Sequence, residues 1–493
     1  MSAGEDEIEL KFLCEPADLA AVLAAAPPGE TQEKALVSTY YDTPQGDLRK
    51  ARISLRIREG GGKRVQTLKR GDGFAREEHE QTVSGDGLDL SLPALQDALS
   101  PAKRKTLSPI FTVRVVRRQR TFEFGGTSIE LAVDEGVVQA GERSRRISEV
   151  ELELKGGDCT PMFELARQLS RTAPLYLSFD GKATQGQGLI DGSDRSPRHH
   201  DKAPLARGLT AAGAFQAIAR NTLVQIAANG VVLREADSVE AVHQLRVAVR
   251  RLRSAISTFN SVTDDDHAES IKAELKWLAG ACDEARDLDV FAEGAAALDD
   301  ATLDLAPLAP IVEVARARAH AKACAAVASG RFRDLVLDTT AWVETGAWLT
   351  IGGKASAKRR DMPAEKFAAK ALERRRKALM KLAGDLKGAD DTGRHDARIA
   401  AKKLRYSAEA FAPLFDKDSK GFIRAVKNLQ EELGALNDAA VAAELVERLR
   451  LKGAALAAAR RLVAAREAAK PKSVKGAVKA MTQLAAAPPF WII

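Results

Sequence analysis

The hydrophobic pattern of this 493-residue chain changes its period near residue 207, and this change constrains the fold more than any other feature. Before it, short segments alternate polar and apolar residues between Gly-rich stretches such as Glu59–Gly62, a pattern typical of antiparallel strands. After it, Ala, Leu, Arg and Glu recur with the 3.6-residue period of helices. The polar stretch 191–207 follows neither period and indicates a linker. We therefore predict an α+β chain with a sheet domain at 5–190 and a helical domain at 208–490.

Several predicted strands collect their charges on one face. Period two places Glu7, Glu9 and Lys11 on one side of a strand and Ile8 and Leu10 on the other. An Arg-rich segment, a mixed segment and an acidic segment show the same alternation: 52–58, 76–80 and 149–155. The ordinary interpretation of any one such strand is a charged face in water and an apolar face on a core.

The segregation of charge by strand favours a second interpretation. If the sheet closes with its charged face inward, carboxylates and cations line one polar lumen. Clustered carboxylates repel one another unless divalent cations lie between them, and clustered Arg and Lys attract an anion with many oxygens. A metal-bound polyphosphate satisfies both groups, and carboxylate oxygens suit Mg²⁺ or Mn²⁺.

The motifs of this half resemble those of the CYTH superfamily, the triphosphate tunnel metalloenzymes. EIELK at Glu7–Lys11 is similar to the family's ExExK signature, and further motifs follow in the family's order. These are STYYDTP at Ser38–Pro44, SLRIRE at Ser54–Glu59, QTLKR at Gln66–Arg70, REEHE at Arg76–Glu80, LAVDEG at Leu131–Gly136, SEVELEL at Ser148–Leu154 and SFDGKATQG at Ser178–Gly186. The last departs from the family, which commonly has Ser-Lys where this chain has Gly181 and Lys182.

The resemblance implies an eight-stranded antiparallel tunnel with flanking helices that binds a triphosphate with two divalent metals. It implies that Glu7, Glu9, Glu151 and Glu153 are metal ligands or carboxylates that position water, with Glu7 and Glu9 counted as catalytic, and it brings Glu149, Asp134 and Glu80 into consideration. It implies that the phosphate is held by cations, the catalytic Lys11, Arg56, Arg58 and Lys69 and the substrate-binding Arg76, Arg117 and Lys182. The sequence leaves open which of Arg114, Arg117, Arg118 and Arg120 face the tunnel, because a one-residue slip exchanges the faces.

The helical half contains an internal repeat. The segment His243–Arg253 recurs as His395–Arg405 at an offset of 152 residues, and Leu275–Val290 recurs as Val426–Val441 at an offset of 151. Two motifs that recur with about the same gap indicate a duplicated helical unit.

Each repeat places a histidine and three cations on one helical face. His243, Arg246, Arg250 and Arg253 fall within an arc of roughly 80° at 3.6 residues per turn. His395, Arg398, Lys402 and Arg405 have the same spacing, and we call the two sets basic ridge 1 and basic ridge 2. The alternatives are a solvated helix face and a metal site built from the two histidines.

These helices resemble the CHAD domain, the conserved histidine α-helical domain, which often follows a CYTH domain. The resemblance implies two four-helix bundles around a basic groove that binds inorganic polyphosphate through both basic ridges. The charge distribution agrees, because residues 1–207 hold 30 Lys and Arg against 32 Asp and Glu, whereas residues 208–493 hold 45 against 36. A 5% aromatic content disfavours base stacking, so no specific nucleic acid partner is expected.

We therefore predict a metal-dependent inorganic triphosphatase, a hydrolase that releases phosphate and pyrophosphate, with a polyphosphate-binding domain. Two alternatives remain: a non-catalytic polyphosphate-binding protein, and a tunnel enzyme for an organic triphosphate, such as a nucleotide or thiamine triphosphatase or an adenylyl cyclase. Scattered cysteines, an acidic N-terminus and the lack of an 18-residue apolar run predict a cytoplasmic protein without a membrane span. Association with polyphosphate granules and the oligomeric state are left open.

Overall fold

The computed structural model describes residues 5–71, 75–85, 87–201, 203–296 and 304–492, and at 5–7 and 75–76 it describes the backbone alone. The chain forms two compact units. The first comprises Met1–Arg198, Ile226–Val232 and Ser329–Ala341, and the second comprises His199–Gln225, Leu233–Ala328 and Trp342–Ile493.

One antiparallel sheet dominates the first unit, as the period-two pattern predicts. Its strands are β1 Glu5–Leu13, β2 Gln32–Asp42, β3 Ile53–Gly60, β4 Lys63–Arg70, β5 Ala75–Thr82, β6 Ser108–Phe124, β7 Thr127–Ala140, β8 Arg143–Gly156 and β9 Tyr176–Ser178. The sheet has nine strands, so the predicted number of eight is wrong. The additional strand, β9, is three residues long and too short to produce an alternating pattern.

The sheet closes on itself through β1. Residues Glu5–Ile8 pair with β5, and Glu9–Leu13 pair with β8, so the order β5-β4-β3-β2-β6-β7-β8-β1 returns to its start. The short β9 pairs with Lys11–Leu13 of β1, next to the segment that β5 covers. Eight strands therefore enclose an interior, here called the tunnel, and β9 protects an edge that would otherwise be exposed.

Short helices cover the closed sheet, here called the ring, and fill part of the tunnel. They are α1 Leu19–Ala25, α2 Asp47–Lys50, α3 Pro93–Ala98, α4 Pro101–Arg104, α5 Thr160–Ser170 and α6 Lys182–Asp191. Outward apolar residues such as Leu55 and Leu68 pack with Leu48 and Leu95 of the covering helices. On the opposite face, Leu189 of α6 joins an apolar cluster inside the ring that includes Tyr40, Phe111 and Val138.

From residue 211 onward the described part of the chain is mostly helical, as the 3.6-residue period predicts. The helices are α7 Ala211–Glu235, α8 Val239–Thr258, α9 Asp266–Ala296, α10 Ala309–Ala328, α11 Gly330–Thr345, α12 Lys354–Arg360, α13 Ala364–Leu382, α14 Asp391–Phe411, α15 Lys420–Arg448 and α16 Gly453–Ala486. Helix α8 packs on α9 and α14, and α15 packs on α14 and α16.

Aromatic side chains build the core of the second unit. Phe215 contacts Phe259, Trp342 and Trp348 with ring centroids 5.4–5.5 Å apart. Near the C-terminal end, Trp491 packs edge-on against Phe422 of α15 with ring centroids 4.8 Å apart. Among the helices described, none combines the length and apolar character needed to cross a bilayer.

Candidate active site and anion-binding groove

Strand register brings the predicted tunnel residues onto the inner face of the ring. Lys11 lies opposite Glu151, and Asp134 lies opposite both Arg117 and Glu149 on its two neighbouring strands. Because residues directly opposite in an antiparallel pair share a face, these charges converge in one place.

Three buried carboxylates form the acidic part of the tunnel, here called the carboxylate cluster: Asp134, Glu149 and Glu151. Each offers an oxygen within 4.8 Å of the others. The Nζ atom of Lys182, the first residue of α6, lies 2.7 Å from Asp134, 2.8 Å from Glu149 and 2.7 Å from Glu151. The carboxylate cluster is thus centred on an ammonium group.

Two further cations complete the charge balance. Arg117 donates to both oxygens of Asp134 at 2.7 and 2.6 Å and to Glu151 at 2.5 Å. Lys11 Nζ lies 3.2 Å from Glu151 and 3.3 Å from Glu9. The carboxylate cluster therefore faces three cations, which is the compensation that buried charges require.

These contacts oppose burial and determine the direction of each pKa shift. Burial favours a neutral Glu151, but Lys182, Lys11 and Arg117 outweigh it and hold the pKa of Glu151 well below its usual range. The same competition lowers the pKa of Asp134. Burial likewise disfavours the charged Lys182, yet the carboxylates raise the pKa of Lys182 well above its usual range. The site is therefore a network of ionised groups near neutral pH.

The side of the tunnel built by β2 and β3 carries crowded positive charges. Burial, followed by the like charges of Arg56 and Arg117, lowers the pKa of Arg58 to about 10, and Tyr40 and Glu80 offset only part of this. Arg56 donates to the Tyr40 hydroxyl at 3.4 Å, and its buried Nε has no hydrogen-bond partner within the described residues. Crowded buried guanidinium groups with unused donors form a strong anion-binding surface.

Strand β4 adds polar groups that already have partners. Lys69 lies 3.1 Å from Glu78, and the Thr67 hydroxyl donates to Glu80 at 2.9 Å. Lys69 is therefore in the tunnel, as predicted, but part of its charge is compensated.

The structure distinguishes among the arginines of β6. Arg117 points into the tunnel. The other three contact residues elsewhere: Arg114 bonds Gln139, Arg118 bonds Glu33, and Arg120 bonds Thr31.

The predicted metal ligands do not all meet. Glu151 belongs to the carboxylate cluster, and Glu9 lies beside Lys11. Glu153 is partly exposed and pairs with Lys155 at 2.6 Å. The side chains of Glu7 and Arg76 lie outside the described residues. Asp134 and Glu149, outside the set of four predicted ligands, complete the cluster instead.

The donor set suits a hard divalent cation. The carboxylate cluster supplies three oxygens and no sulfur or imidazole, which matches the preference of Mg²⁺ and Mn²⁺. The Lys182 ammonium lies among the same oxygens. The residues therefore fit a metal chemically, and a cation at that point would compete with Lys182.

In the second unit, the two basic ridges converge. Helices α8 and α14 pack together, and Lys402 of α14 feels the like charges of Arg398 on its own ridge and of Arg250 and Arg246 on α8. Burial, followed by these three like charges, lowers the pKa of Lys402 to about 7, although Asp438 partly opposes the shift. The repeat predicts two matched ridges, and the structure packs them against each other.

The ridges present buried polar atoms that the fold does not use. Within the described residues, the Nε donors of Arg250 and Arg398 are buried without hydrogen-bond partners, and so is His243 Nδ1, whose role as donor or acceptor depends on the tautomer. Burial, followed by the charge of Arg286, lowers the pKa of His243, so the imidazole is neutral near pH 7. Unused buried donors beside crowded cations indicate a site for an anion.

Other ridge members have partners within the helical unit. Arg246 lies 2.7 Å from Asp283, Arg398 donates to Asn437 at 2.9 Å, and Arg405 lies 3.0 Å from Glu409. His395 contacts Asn437 at 3.1 Å, whereas Arg253 is half-buried near the end of α8. Each ridge is therefore anchored to a neighbouring helix.

Sequence reasoning missed functional candidates that approach from other helices. Arg286 of α9 lies near His243 and Asp438, and Arg466 of α16 donates to the Asp438 carbonyl at 3.3 Å. The repeat could have identified Arg286, because it lies in the second repeated motif and aligns with Asn437 at the offset of 151. In the tunnel, Gln185 of α6 bonds Glu149 and was also missed.

Comparison with known families and proteins finds similarities for both the sheet half and the helical half of the chain. The family model of the CYTH domain matches residues 5–186, and that of the CHAD domain matches residues 217–447. An inorganic triphosphatase of Haemophilus influenzae is 32% identical over 195 residues, 36% of this chain and 54% of that protein. The chain thus spans about half the length of that relative.

Two further similarities extend over the helical region or most of the chain. An uncharacterised protein of Mycobacterium tuberculosis is 26% identical over 405 residues, 76% of this chain and 75% of that protein. A solved CHAD domain from the plant Ricinus communis is 30% identical with a TM-score of 0.52, covering 58% of this chain and 96% of that one.

Proposed function

We propose that the tunnel hydrolyses inorganic triphosphate and that the helical domain binds polyphosphate. The chain belongs to the CYTH family over residues 5–186 and to the CHAD family over residues 217–447. The single observation that carries the catalytic part is the division of the tunnel into an acidic and a basic side. The carboxylate cluster lies on β7 and β8, and the crowded Arg56 and Arg58 lie on β3.

A triphosphate complements this division. Its oxygens suit the donors of Arg56 and Arg58, whose mutual repulsion an anion relieves. Bidentate guanidinium contacts also fix the orientation of a phosphoryl group, which converts binding into alignment for in-line attack. The relative named an inorganic triphosphatase supports this substrate class.

The carboxylate cluster and Glu9 are the proposed ligands of divalent metal, together with Glu7 and Glu153 from the predicted set. Bound Mg²⁺ or Mn²⁺ would supply charge neutralisation at phosphate oxygens and a more acidic water. Arg117 orients Asp134 and Glu151 through three hydrogen bonds, so those carboxylates keep fixed positions.

The chain's own residues then perform positioning and charge stabilisation. A tunnel carboxylate accepts a hydrogen bond from the attacking water, and Lys11, Arg56 and Arg58 stabilise the charge that develops on the transferred phosphoryl group. With Lys69, Arg76 and Lys182 as further clamps, no protein nucleophile is required. Hydrolysis of one terminal anhydride bond yields orthophosphate and pyrophosphate.

For the helical domain, the carrying observation is the cluster of Arg246, Arg250, Arg398 and Lys402 with unused buried donors. A linear polyanion satisfies several such cations at once without reading a base sequence. We assign this role to both basic ridges within the inferred pair of four-helix bundles.

A phosphate-release panel tests the catalytic proposal against its alternatives. The full chain is assayed with Mg²⁺ or Mn²⁺ on triphosphate, long polyphosphate, ATP and thiamine triphosphate, beside Glu151→Gln. Preferential release from triphosphate that Glu151→Gln abolishes supports the proposal. Faster turnover of an organic triphosphate supports the other enzyme class, and absence of release from all four supports a binding protein.

A further inference from the structure

The Lys182 side chain occupies the centre of the carboxylate cluster, where its ammonium donates to Glu149 and Glu151 and pairs with Asp134. An ammonium group has three N–H donors, and three carboxylates lie 2.7, 2.8 and 2.7 Å from Nζ. Lys182 is 8% exposed, so water cannot easily replace these contacts. In this arrangement the ammonium is directed at the three carboxylates and not at a phosphate.

The local charge shows what a divalent cation would meet. Asp134, Glu149 and Glu151 are balanced by Lys182, Lys11 and Arg117. A cation bound by the same oxygens would lie close to the ammonium, and two positive charges at such short range repel strongly in a buried site. Mg²⁺ also requires oxygens at about 2.0–2.1 Å, a tighter shell than the ammonium contacts. The cation can enter the cluster only if Nζ leaves.

The anchoring of α6 determines how Lys182 can leave. Gly186 of this helix packs so closely on Phe111 that a Cβ atom there would lie 2.2 Å from the ring. Gln185 also bonds Glu149. The backbone of α6 is therefore held against the closed sheet, and the flexible four-carbon stem of Lys182 is the part free to move.

We propose that Lys182 is the resident counter-cation of the carboxylate cluster, that divalent metal competes with it for Asp134, Glu149 and Glu151, and that metal entry releases its ammonium toward the phosphate. The release toward phosphate rests on the proposed function, whereas the competition rests on the contacts alone. Lys182 would then couple metal occupancy to the availability of a substrate cation.

Direct measurement of Mn²⁺ binding without triphosphate tests the competition. Free Mn²⁺ is followed by electron paramagnetic resonance during titration of the full chain, Lys182→Met and Lys69→Met. The control removes a tunnel cation that pairs with Glu78, outside the carboxylate cluster. We expect at least tenfold tighter Mn²⁺ binding for Lys182→Met and less than threefold change for Lys69→Met. Equal or weaker binding by Lys182→Met, or an equal gain in both variants, would overturn the proposal.

A second measurement on the unaltered chain does not depend on the folding of a variant. An amine-reactive reagent labels lysines with and without Mn²⁺, and mass spectrometry reports each site. We expect Lys182 to react at least several-fold faster with Mn²⁺, while exposed Lys377 is unchanged. An unchanged Lys182 rate in Mn²⁺-saturated protein would contradict release. Neither Mn²⁺ binding nor lysine labelling depends on hydrolysis. If both measurements give the expected result and the chain shows no turnover, the proposed triphosphatase activity is disproved while the competition between Lys182 and metal stands.

Discussion

Arg117 and Arg118 are adjacent in β6 and have opposite environments. The Arg117 side chain is 11% exposed and donates to Asp134 at 2.7 and 2.6 Å, whereas the Arg118 side chain is 31% exposed and pairs with Glu33 at 3.2 Å and with Glu135 at 3.8 Å. This difference follows from the two-residue period of a strand, and it provides a matched pair of substitutions for the tunnel.

The first prediction compares these two arginines. Arg117→Met removes three hydrogen bonds from Asp134 and Glu151 and should reduce triphosphate turnover by on the order of 10²–10³. Arg118→Met loses two partly exposed ion pairs, with Glu33 and Glu135, and should change turnover less than about twofold. Initial rates of phosphate release from both proteins provide the measurement, and equal losses would refute the assignment of Arg117 to the tunnel.

The second prediction concerns the packing of α6. Gly186→Ala forces a Cβ atom against Phe111, which itself stacks on Tyr40 at 4.5 Å. Overpacking of this kind should destabilise the protein by about 1–3 kcal/mol and lower turnover by displacing Lys182. Thermal unfolding and activity are measured together.

Gly434→Ala is the control for that helix substitution. A Cβ at Gly434, in α15, meets no atom within 4 Å. This change should leave stability unaltered or raise it by up to about 1 kcal/mol, because alanine reduces the freedom of the unfolded chain. A Gly186→Ala protein as stable and active as Gly434→Ala would show that the close approach has no consequence.

The third prediction is a pH dependence of polyphosphate binding. In the ligand-free fold, burial and Arg398, Arg250 and Arg246 lower the pKa of Lys402 to about 7. A bound polyanion favours the charged ammonium, so affinity should fall as pH rises through 7, by about tenfold between pH 6.5 and 8.5. Lys402→Arg keeps its charge and should flatten this profile. The same slope in both proteins would assign the titration to another group.

The corresponding effect on folding has a defined sign. Between pH 7 and the ordinary lysine value, the unfolded chain binds the Lys402 proton and the folded chain does not. The free energy of unfolding from this residue therefore rises with pH across that window. Polyphosphate should oppose this trend, since it stabilises the protonated fold.

The fourth prediction tests the basic ridges by charge reversal. Arg250→Glu with Lys402→Glu places two acids among the crowded cations and should reduce polyphosphate affinity by at least 10², while triphosphate turnover is retained. Binding of the unaltered chain should also weaken steeply with salt. Lys403→Glu, on an exposed position next to Lys402, is the control and should have a small effect. Retained binding by the double variant would exclude the ridges as the site.

Sequence patterns predict the strands, the helices and the inner face of the tunnel because each follows from a short-range period. They do not predict β9, whose three residues are ordered by the edge of β1 rather than by their own pattern. Which side of the sheet the Arg117 side chain occupies also depends on the register between β6 and β7. Such features arise from pairing between distant segments, which local periodicity does not encode.

The residue contacts of the site show the same limit. Lys182 is predicted as a phosphate cation from its motif, yet its position among three carboxylates depends on how α6 packs on Phe111. In the helical unit, the repeat identifies both ridges, but Arg466 approaches from α16, outside the repeated motifs. Tertiary packing determines these contacts.

The tunnel is proposed to cleave a terminal anhydride bond of inorganic triphosphate. Phosphorus nuclear magnetic resonance of the full chain with triphosphate and Mg²⁺ or Mn²⁺ identifies the products of this reaction. We expect orthophosphate and pyrophosphate in equal amounts, with no products from Glu151→Gln. Triphosphate that remains intact with both metals, or that Glu151→Gln cleaves equally well, would disprove the proposed reaction.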